Sequence, residues 1–294
     1  MVNRFRQNLS TYVREAQLAV WQKSQISNFK LQISIGLNVI TDKRSRLFII
    51  LGGFFITNAL LAEFVGVKIF SVEKLLGFQP ADMTILGVDG LSFNLTAGVL
   101  LWPVVFVMTD VVNEYYGMRG VRLLSFLSVG LIIYAFIMVY MAIGTPPADF
   151  WISVNKEMGV SNMNTAFRAI FGQGLWIIVG SLIAFLIGQL IDVFVFQKVK
   201  RWTGDRFVWL RATGSTLVSQ FLDSFVVLYI AFYIGGGWEM KTVLAIGVVN
   251  YVYKCSMAVI LTPLIYLFHF LIDTYLGRQT AQELKQQALL KNQV

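Results

Sequence analysis

Asp223 stands in the middle of GSTLVSQFLDSFVVLYIAFY, residues 214–233, a stretch otherwise apolar enough for a lipid core. Ser215, Ser219 and Asp223 recur every four residues and so share one helix face, with Gln220 beside it. Farther on, Asn250 and Lys254 are also four apart. In FVMTDVVNEYYG, residues 106–117, Asp110, Asn113 and Glu114 fall on one face, and in GQLIDVFVF, residues 188–196, Gln189 and Asp192 are co-facial. A charge near the bilayer centre costs about 2.5–3.5 kcal/mol on insertion scales, so each of these needs a reason. Carboxylates so placed can accept hydrogen bonds from a polar solute or relay protons, and a lysine supplies the complementary donor. Glu63, near the end of an earlier apolar run, is a weaker candidate because it can reach the interface.

The elements that must hold these groups are long apolar runs. Of 294 residues, 56% are hydrophobic and 14% are charged, about half the charge expected of a soluble domain. The deficit is concentrated in six runs, each near or above the roughly 20 residues that cross the hydrocarbon as a helix. They are 47–67, 95–112, 121–143, 171–196, 213–234 and 242–272, the second being the weakest because it is short and contains Pro103. The expected fold is therefore all-α, a polytopic membrane protein with six transmembrane helices in one domain, 47–272. Residues 1–46 form a basic N-terminal arm and 273–294 a C-terminal tail. Within the arm, VREAQLAVWQK could lie as an amphipathic helix on the membrane surface.

Charge placement orients the chain. The arm, the connections 113–120 and 197–212 with their flanks, and the tail hold 18 of the 24 Lys and Arg residues. By the positive-inside rule both termini face the cytoplasm. The basic segment KVKRWTGDRFVWLR, residues 198–211, reads as a topology determinant rather than a nucleic-acid surface, so no nucleic-acid partner is expected. Depth then links two of the candidates. Asp223 lies about 11 residues into its span and Lys254 about 13 into the next, roughly 16 and 20 Å at 1.5 Å per residue. Both fall near the middle of a core roughly 30 Å thick, on helices joined by a short connection, so they are candidate charge partners.

Helix–helix packing accounts for Ser215, Ser219 or Asn250 taken singly as well as function does. Asp110, Asp192, Asp223 and Lys254 together exceed what packing needs. Trp102, Phe106, Tyr115 and Tyr116 flank the polar part of the second run; packing is the ordinary role of each, but one could stack on a flat ligand. No catalytic motif stands out. His269 is the one histidine, and neither a Ser-His pair nor a phosphate-binding glycine loop occurs, so no enzyme and no cofactor is expected. A proton-coupled channel or exchanger, a membrane hydrolase and the substrate-binding subunit of an energy-coupling-factor transporter remain open on these residues.

Four segments in order, WPVVFVMTDVVNEYYG, SLIAFLIGQLIDVFVF, GSTLVSQFLDSFVVLYIAF and NYVYKCSMAVILTPLIY, make the chain resemble the queuosine precursor transporter family, also classed among vitamin uptake transporters. The resemblance covers about residues 47–272. The family pattern falls on Pro103, Thr109 and Asp110, on Gly188, Gln189 and Asp192, on Ser215, Thr216 and Asp223, and on Lys254 and Pro263. The chain departs from members with an arginine early in the fourth span, reading GQGLWIIVG there. The resemblance implies a multi-pass protein of the prokaryotic inner membrane that imports a 7-deazaguanine base, the 7-cyano or 7-aminomethyl form, for tRNA modification. Its substrate and the lipid membrane are then its partners, with a homo-oligomer left open. Taken with the polar faces and the flanking aromatics, it gives the expected substrate-binding residues as Phe106, Thr109, Asp110, Gln189, Asp192, Ser219, Asp223, Asn250 and Lys254. One carboxylate, Asp110 or Asp192, would accept the ring N–H and exocyclic amine of the base, while a lysine donates to the adjacent carbonyl.

Overall fold

A computed structural model describes residues 42–172, 174–203 and 207–290. The amphipathic stretch expected in the N-terminal arm lies outside the described residues, as do 204–206 of the basic connection and 291–294 of the tail. The chain divides into two units, 1–50 and 51–294. In the first, Asp42 Oδ2 lies 3.3 Å from both the amide and the hydroxyl of Ser45, capping a helix that starts at Lys43. That helix, α1 (Lys43–Val65), continues into the second unit.

There it is followed by β1 (Ile69–Ser71), a single helical turn (Val72–Leu75), β2 (Met83–Ile85), β3 (Val88–Leu91) and β4 (Asn94–Thr96). β1 pairs antiparallel with β4, and β2 with β3, so a small strand-bearing segment interrupts the all-α pattern. Then come α2 (Trp102–Gly144), α3 (Met163–Phe171), α4 (Leu175–Thr203), α5 (Val208–Leu228) with a wider π turn to Ile234, α6 (Met240–Ile260), α7 (Thr262–Leu276) and α8 (Arg278–Leu290). Five helical runs are long and apolar enough to cross a membrane: Lys43–Val65, Ala97–Gly144, Met163–Thr203, Val208–Ile234 and Met240–Ile260. The molecule is an all-α membrane protein.

The boundaries differ from the sequence expectation in two places. The second span was expected from Leu95, but Leu95 sits in β4 opposite Phe70 and the helix starts at Trp102. Pro103 occupies its first turn, where a missing N–H leaves no helical bond unmade. The second and third expected spans then form one 43-residue helical run. Straight, that run would be about 65 Å long, twice the hydrocarbon thickness. Gly117 breaks it at φ 72°, ψ −174°, a backbone conformation essentially reserved for glycine. The last expected span, 242–272, is likewise split at Leu261, because Pro263 starts a new helix at Thr262.

Burial shows which part is central. Residues 105–115 are buried on every face, whereas beyond Gly117 the same run exposes Leu123, Phe126, Tyr134, Ile137 and Met141. A helix apolar and buried all round belongs inside a bundle, and one with large exposed aliphatic side chains faces lipid. α4 and α5 form the most extensive pair, α4 also packs on α2, and α5 on α6. Val107, Phe196, Ala212 and Ile265 knit α2, α4, α5 and α7 into one cluster. Lipid tails are as apolar as leucine, so such contacts hold by van der Waals fit and interhelical hydrogen bonds. The tail region is ordered as α8, which lies on α2 with Ala281, Leu284 and Ala288 buried.

Candidate functional site

The buried arm of α2, residues 102–116, carries Asp110 into the interior between α5, α6 and α7. A narrow cavity of about 20 Å³ opens there, bordered by Trp102, Phe106, Asp110, Thr216, Gln220 and Lys254. That is room for about one water, so the site is nearly closed in this state. Its wall is aromatic on one side and amphoteric on the other.

Behind Asp110 lies a second layer from α4 and α5. The Thr109 hydroxyl is 2.9 Å from Gln189 Oε1 and 3.0 Å from the Val105 carbonyl. The Ser219 hydroxyl donates to Asp192 Oδ1 at 3.2 Å, and Asp110 and Asp192 are electrostatic neighbours. Helical spacing explains the convergence, because Gln189 and Asp192 share the α4 face that meets Ser215 and Ser219 on α5. Among the described residues, four buried atoms in and around this cavity have no hydrogen-bond partner: Asp110 Oδ1, Asp192 Oδ2, Gln189 Nε2 and Gln220 Nε2. Buried polar atoms are nearly always paired, so two acceptors and two donors left open call for an occupant with both kinds of group.

Lys254 Nζ donates to Asp223 Oδ2, joining α6 to α5 as their depths implied. The same lysine, with Trp102 and Val99, also borders a second and larger cavity of about 480 Å³. This one contains Glu63, Ser181, Asp223, Ser224 and Asn250. Its Ser181 hydroxyl donates to Glu63 Oε2 at 2.8 Å.

At the opposite end of the Asp110 arm the helices are locked by charge. Glu114 pairs with Lys200 at 3.0 Å and Arg211 at 2.8 Å, and Gln197 Nε2 donates to Asn113 Oδ1 at 2.6 Å. Tyr115 donates to Asp273 at 2.6 Å, and Lys285 reaches the same carboxylate at 3.1 Å. A third cavity, about 660 Å³, opens below this layer beside Arg211, His269 and Lys285.

The expected site residues thus fall into three groups. Phe106, Asp110 and Lys254 line the inner cavity, and Asp223 and Asn250 line the larger one with Lys254. Thr109, Gln189, Asp192 and Ser219 form the buried layer behind Asp110. Tyr115 turns away to Asp273, so it does not face the inner cavity.

Sequence reasoning placed Gln220 beside the Ser215–Ser219–Asp223 face without counting it among the site residues, missed Gln197, and took Lys200 and Arg211 for loop charges. Both are buried, and their spacing was the available signal. Lys200 lies two helical turns beyond Asp192, and Arg211, Ser215 and Ser219 repeat every four. Glu63 also proves buried inside a cavity, not reaching for the interface.

Residues 96–268 match the family model described as "Putative vitamin uptake transporter". A protein of Bacillus subtilis named "Probable queuosine precursor transporter" is 32% identical over 177 residues, 59% of this chain and 72% of that protein. One of the same name from Haemophilus influenzae is 28% identical over 61% of this chain and 70% of its own length. The "Queuosine precursor transporter" of Escherichia coli is 25% identical over 60% and 72%, respectively. No solved structure matches the chain.

Proposed function

From the premise that the chain belongs to the vitamin uptake transporter family, and is a multi-pass membrane transporter rather than an enzyme, we propose that it imports a queuosine precursor. The cargo is a 7-deazaguanine base, the 7-cyano form, the 7-aminomethyl form, or both, taken up for tRNA modification. The observation that carries this reading is the set of unpaired buried atoms around the inner cavity. A guanine-like edge presents an N–H and an amine beside a carbonyl, which complements a carboxylate next to amide donors. Asp110 accepts from the ring N–H and the exocyclic amine. Gln220 and Lys254 serve the carbonyl edge, and Phe106 and Trp102 cover the ring faces. Asp192, Gln189, Thr109 and Ser219 hold Asp110 and its surroundings in place, while Asp223 holds Lys254 and Asn250 marks the approach from the larger cavity.

In this reading the protein lies in a prokaryotic inner membrane. The arms of α2 on either side of Gly117 count as separate crossings, which with α1, α4, α5 and the α6–α7 pair makes six. Both termini are cytoplasmic, with residues 1–46 as the arm, 47–272 as the transporter domain and 273–294 as the tail. The Glu63 cavity then opens outward and the Lys200–Glu114–Arg211 layer closes the cytoplasmic side. A short, broken helix carrying the site has the logic of discontinuous helices at transporter midplanes, where irregular backbone lines a cavity. All of these residues come from one chain, so a homo-oligomer is not required for the site.

The deciding experiment supplies each base to cells lacking both its synthesis and native uptake, with and without this gene, and measures queuosine in their tRNA. Queuosine that appears only with the gene supports the assignment. Its absence with both bases, in cells whose membranes contain the protein, overturns it.

A further inference from the structure

Three side chains on one face of α5, Thr216, Gln220 and Ser224, recur every four residues. The first two border the inner cavity and Ser224 borders the larger one. Gln220 Nε2 and the Ser224 hydroxyl are both buried with no hydrogen-bond partner among the described residues, so unmet polar groups run in one line from one hollow into the other. Each step along that line is about 6 Å, at a rise of roughly 1.5 Å per residue. Trp102 borders both hollows as well, which gives a flat ring one continuous surface to follow. The two hollows differ in room. The inner one, about 20 Å³, holds about one water, whereas the larger, about 480 Å³, lies in the ordinary range of small-molecule sites. The charged groups of the larger wall are engaged, since Glu63 accepts from Ser181 at 2.8 Å and Asp223 holds Lys254. The buried polar atom left unmet there, among the described residues, is the neutral Ser224 hydroxyl, and Asn250 adds an amide to the same wall.

We propose that the larger cavity is a second binding site for the same flat heterocycle, in which Ser224 takes its neutral polar edge while Trp102 covers the ring, before the cargo steps along α5 to Gln220 and Asp110. The inference rests on the 7-deazaguanine reading above and adds a holding site ahead of the inner one. A hydroxyl donates one hydrogen bond and accepts others, so Ser224 can meet either the N–H side or the carbonyl side of a guanine-like edge. Asp110, as an acceptor, takes only the N–H side. The larger site is therefore the permissive one and the inner site the selective one. With the inner cavity nearly closed, this conformation is the one in which the cargo rests on Ser224.

The test reads occupancy of the larger cavity in the full chain, in membrane vesicles. Cys255→Ala removes the one native cysteine, and Ser224→Cys then places a thiol on the cavity wall. Its rate of modification by a small methanethiosulfonate reagent is measured with and without the 7-cyano or the 7-aminomethyl base, whichever the wild type imports. The base should slow modification at least fivefold, and should do so equally when Asp110→Asn disables the inner site. Protection that disappears with Asp110→Asn, no protection in either protein, or a thiol that stays unmodified without the base overturns the inference. A second variant needs no thiol. Ser224→Ala removes only an unpaired hydroxyl, so its Tm and abundance should match the wild type, while the KM for uptake rises roughly fivefold, the worth of one neutral hydrogen bond, with Vmax within twofold. An unchanged KM also overturns the inference. If the wild type imports neither base, the cargo reading falls and this inference with it. If it imports one and the base leaves the new thiol unprotected, only the inference falls.

Discussion

Glu114 lies 2.8 Å from Arg211 and 3.0 Å from Lys200, three charges from three helices, none with more than 2% of its side chain exposed. One carboxylate is shared by two cations, so the three residues are not equivalent. Removing Glu114 takes an ion pair from both buried cations at once, whereas removing Lys200 leaves the Glu114–Arg211 pair in place. Breaking a buried pair by deleting one partner costs about 3–5 kcal/mol, while an apolar replacement that leaves no orphan charge can be near neutral. Glu114→Ala should therefore abolish accumulation in the membrane or sharply lower the Tm in detergent. Lys200→Met should accumulate normally. Equal Tm values for the two variants would show that the charges are not coupled as described.

The Asp223–Lys254 pair is only partly buried, with 18% and 11% of the side chains exposed, and it borders both cavities. Its weight should fall on transport more than on folding. Asp223→Ala is expected to reach the membrane and lose uptake. Asp223→Ala combined with Lys254→Met, which removes the orphaned ammonium, should restore any lost abundance but not uptake. Immunoblots of membranes alongside initial-rate assays separate the two effects. Wild-type uptake by Asp223→Ala would remove the pair from the site.

Phe106 is 4% exposed and borders the cavity one helical turn before Asp110. Stacking on a base is worth about 1–3 kcal/mol by alanine substitution, or roughly 5- to 150-fold in affinity. Phe106→Ala should raise the KM for uptake within that range, while Phe106→Trp, which keeps an aromatic face, should raise it far less. A fall in Vmax with KM unchanged would point to packing instead.

How much of this was visible in the chain follows from what each signal reports. Periodicity placed Gln189 with Asp192 and Ser215 with Ser219, because residues three or four apart share a face whatever the fold. Depth counting paired Asp223 with Lys254, because consecutive helices joined by a short connection are antiparallel neighbours. Hydropathy separated the two arms of α2 at the connection 113–120, but it could not find the turn itself, which is made by a single glycine at φ 72°. Nor could it find β4, where Leu95 looks like the start of a span but pairs with Phe70. Lys200 and Arg211 were hidden by the positive-inside logic itself. That logic counts a basic residue as a loop charge and cannot see a buried carboxylate 86 residues away at Glu114.

Gly117 gives a sharp test of that turn. At φ 72° and ψ −174° a Cβ is strained whatever space surrounds it, and such positions cost about 1–3 kcal/mol for other residues. Gly117→Ala should therefore lower the Tm and the yield. Gly130→Ala, in the lipid-facing part of the same run with no atom within 4 Å of a new Cβ, should change neither. Equal Tm values would mean the run is straighter than described.

Glu73 supplies a pH dependence outside the spans. Its Oε1 accepts from the Phe93 amide at 2.7 Å and its Oε2 from the Ser71 hydroxyl at 2.9 Å, tying the turn after β1 to the segment before β4. Burial favours the neutral acid, but the donors, led by the Phe93 amide, outweigh it and hold the carboxyl below its ordinary value. A depressed carboxyl contributes stability that is fully present above its unfolded pKa, near 4.3, and that is lost as pH falls through the lower folded value. Hydrogen exchange on detergent-solubilised protein should show protection of the Phe93 amide unchanged from pH 7 to about 5 and falling below pH 4. In Glu73→Gln the protection should be weaker throughout and independent of pH over that range. A wild-type protein whose Phe93 protection ignores pH would show that the carboxylate is not what closes this turn.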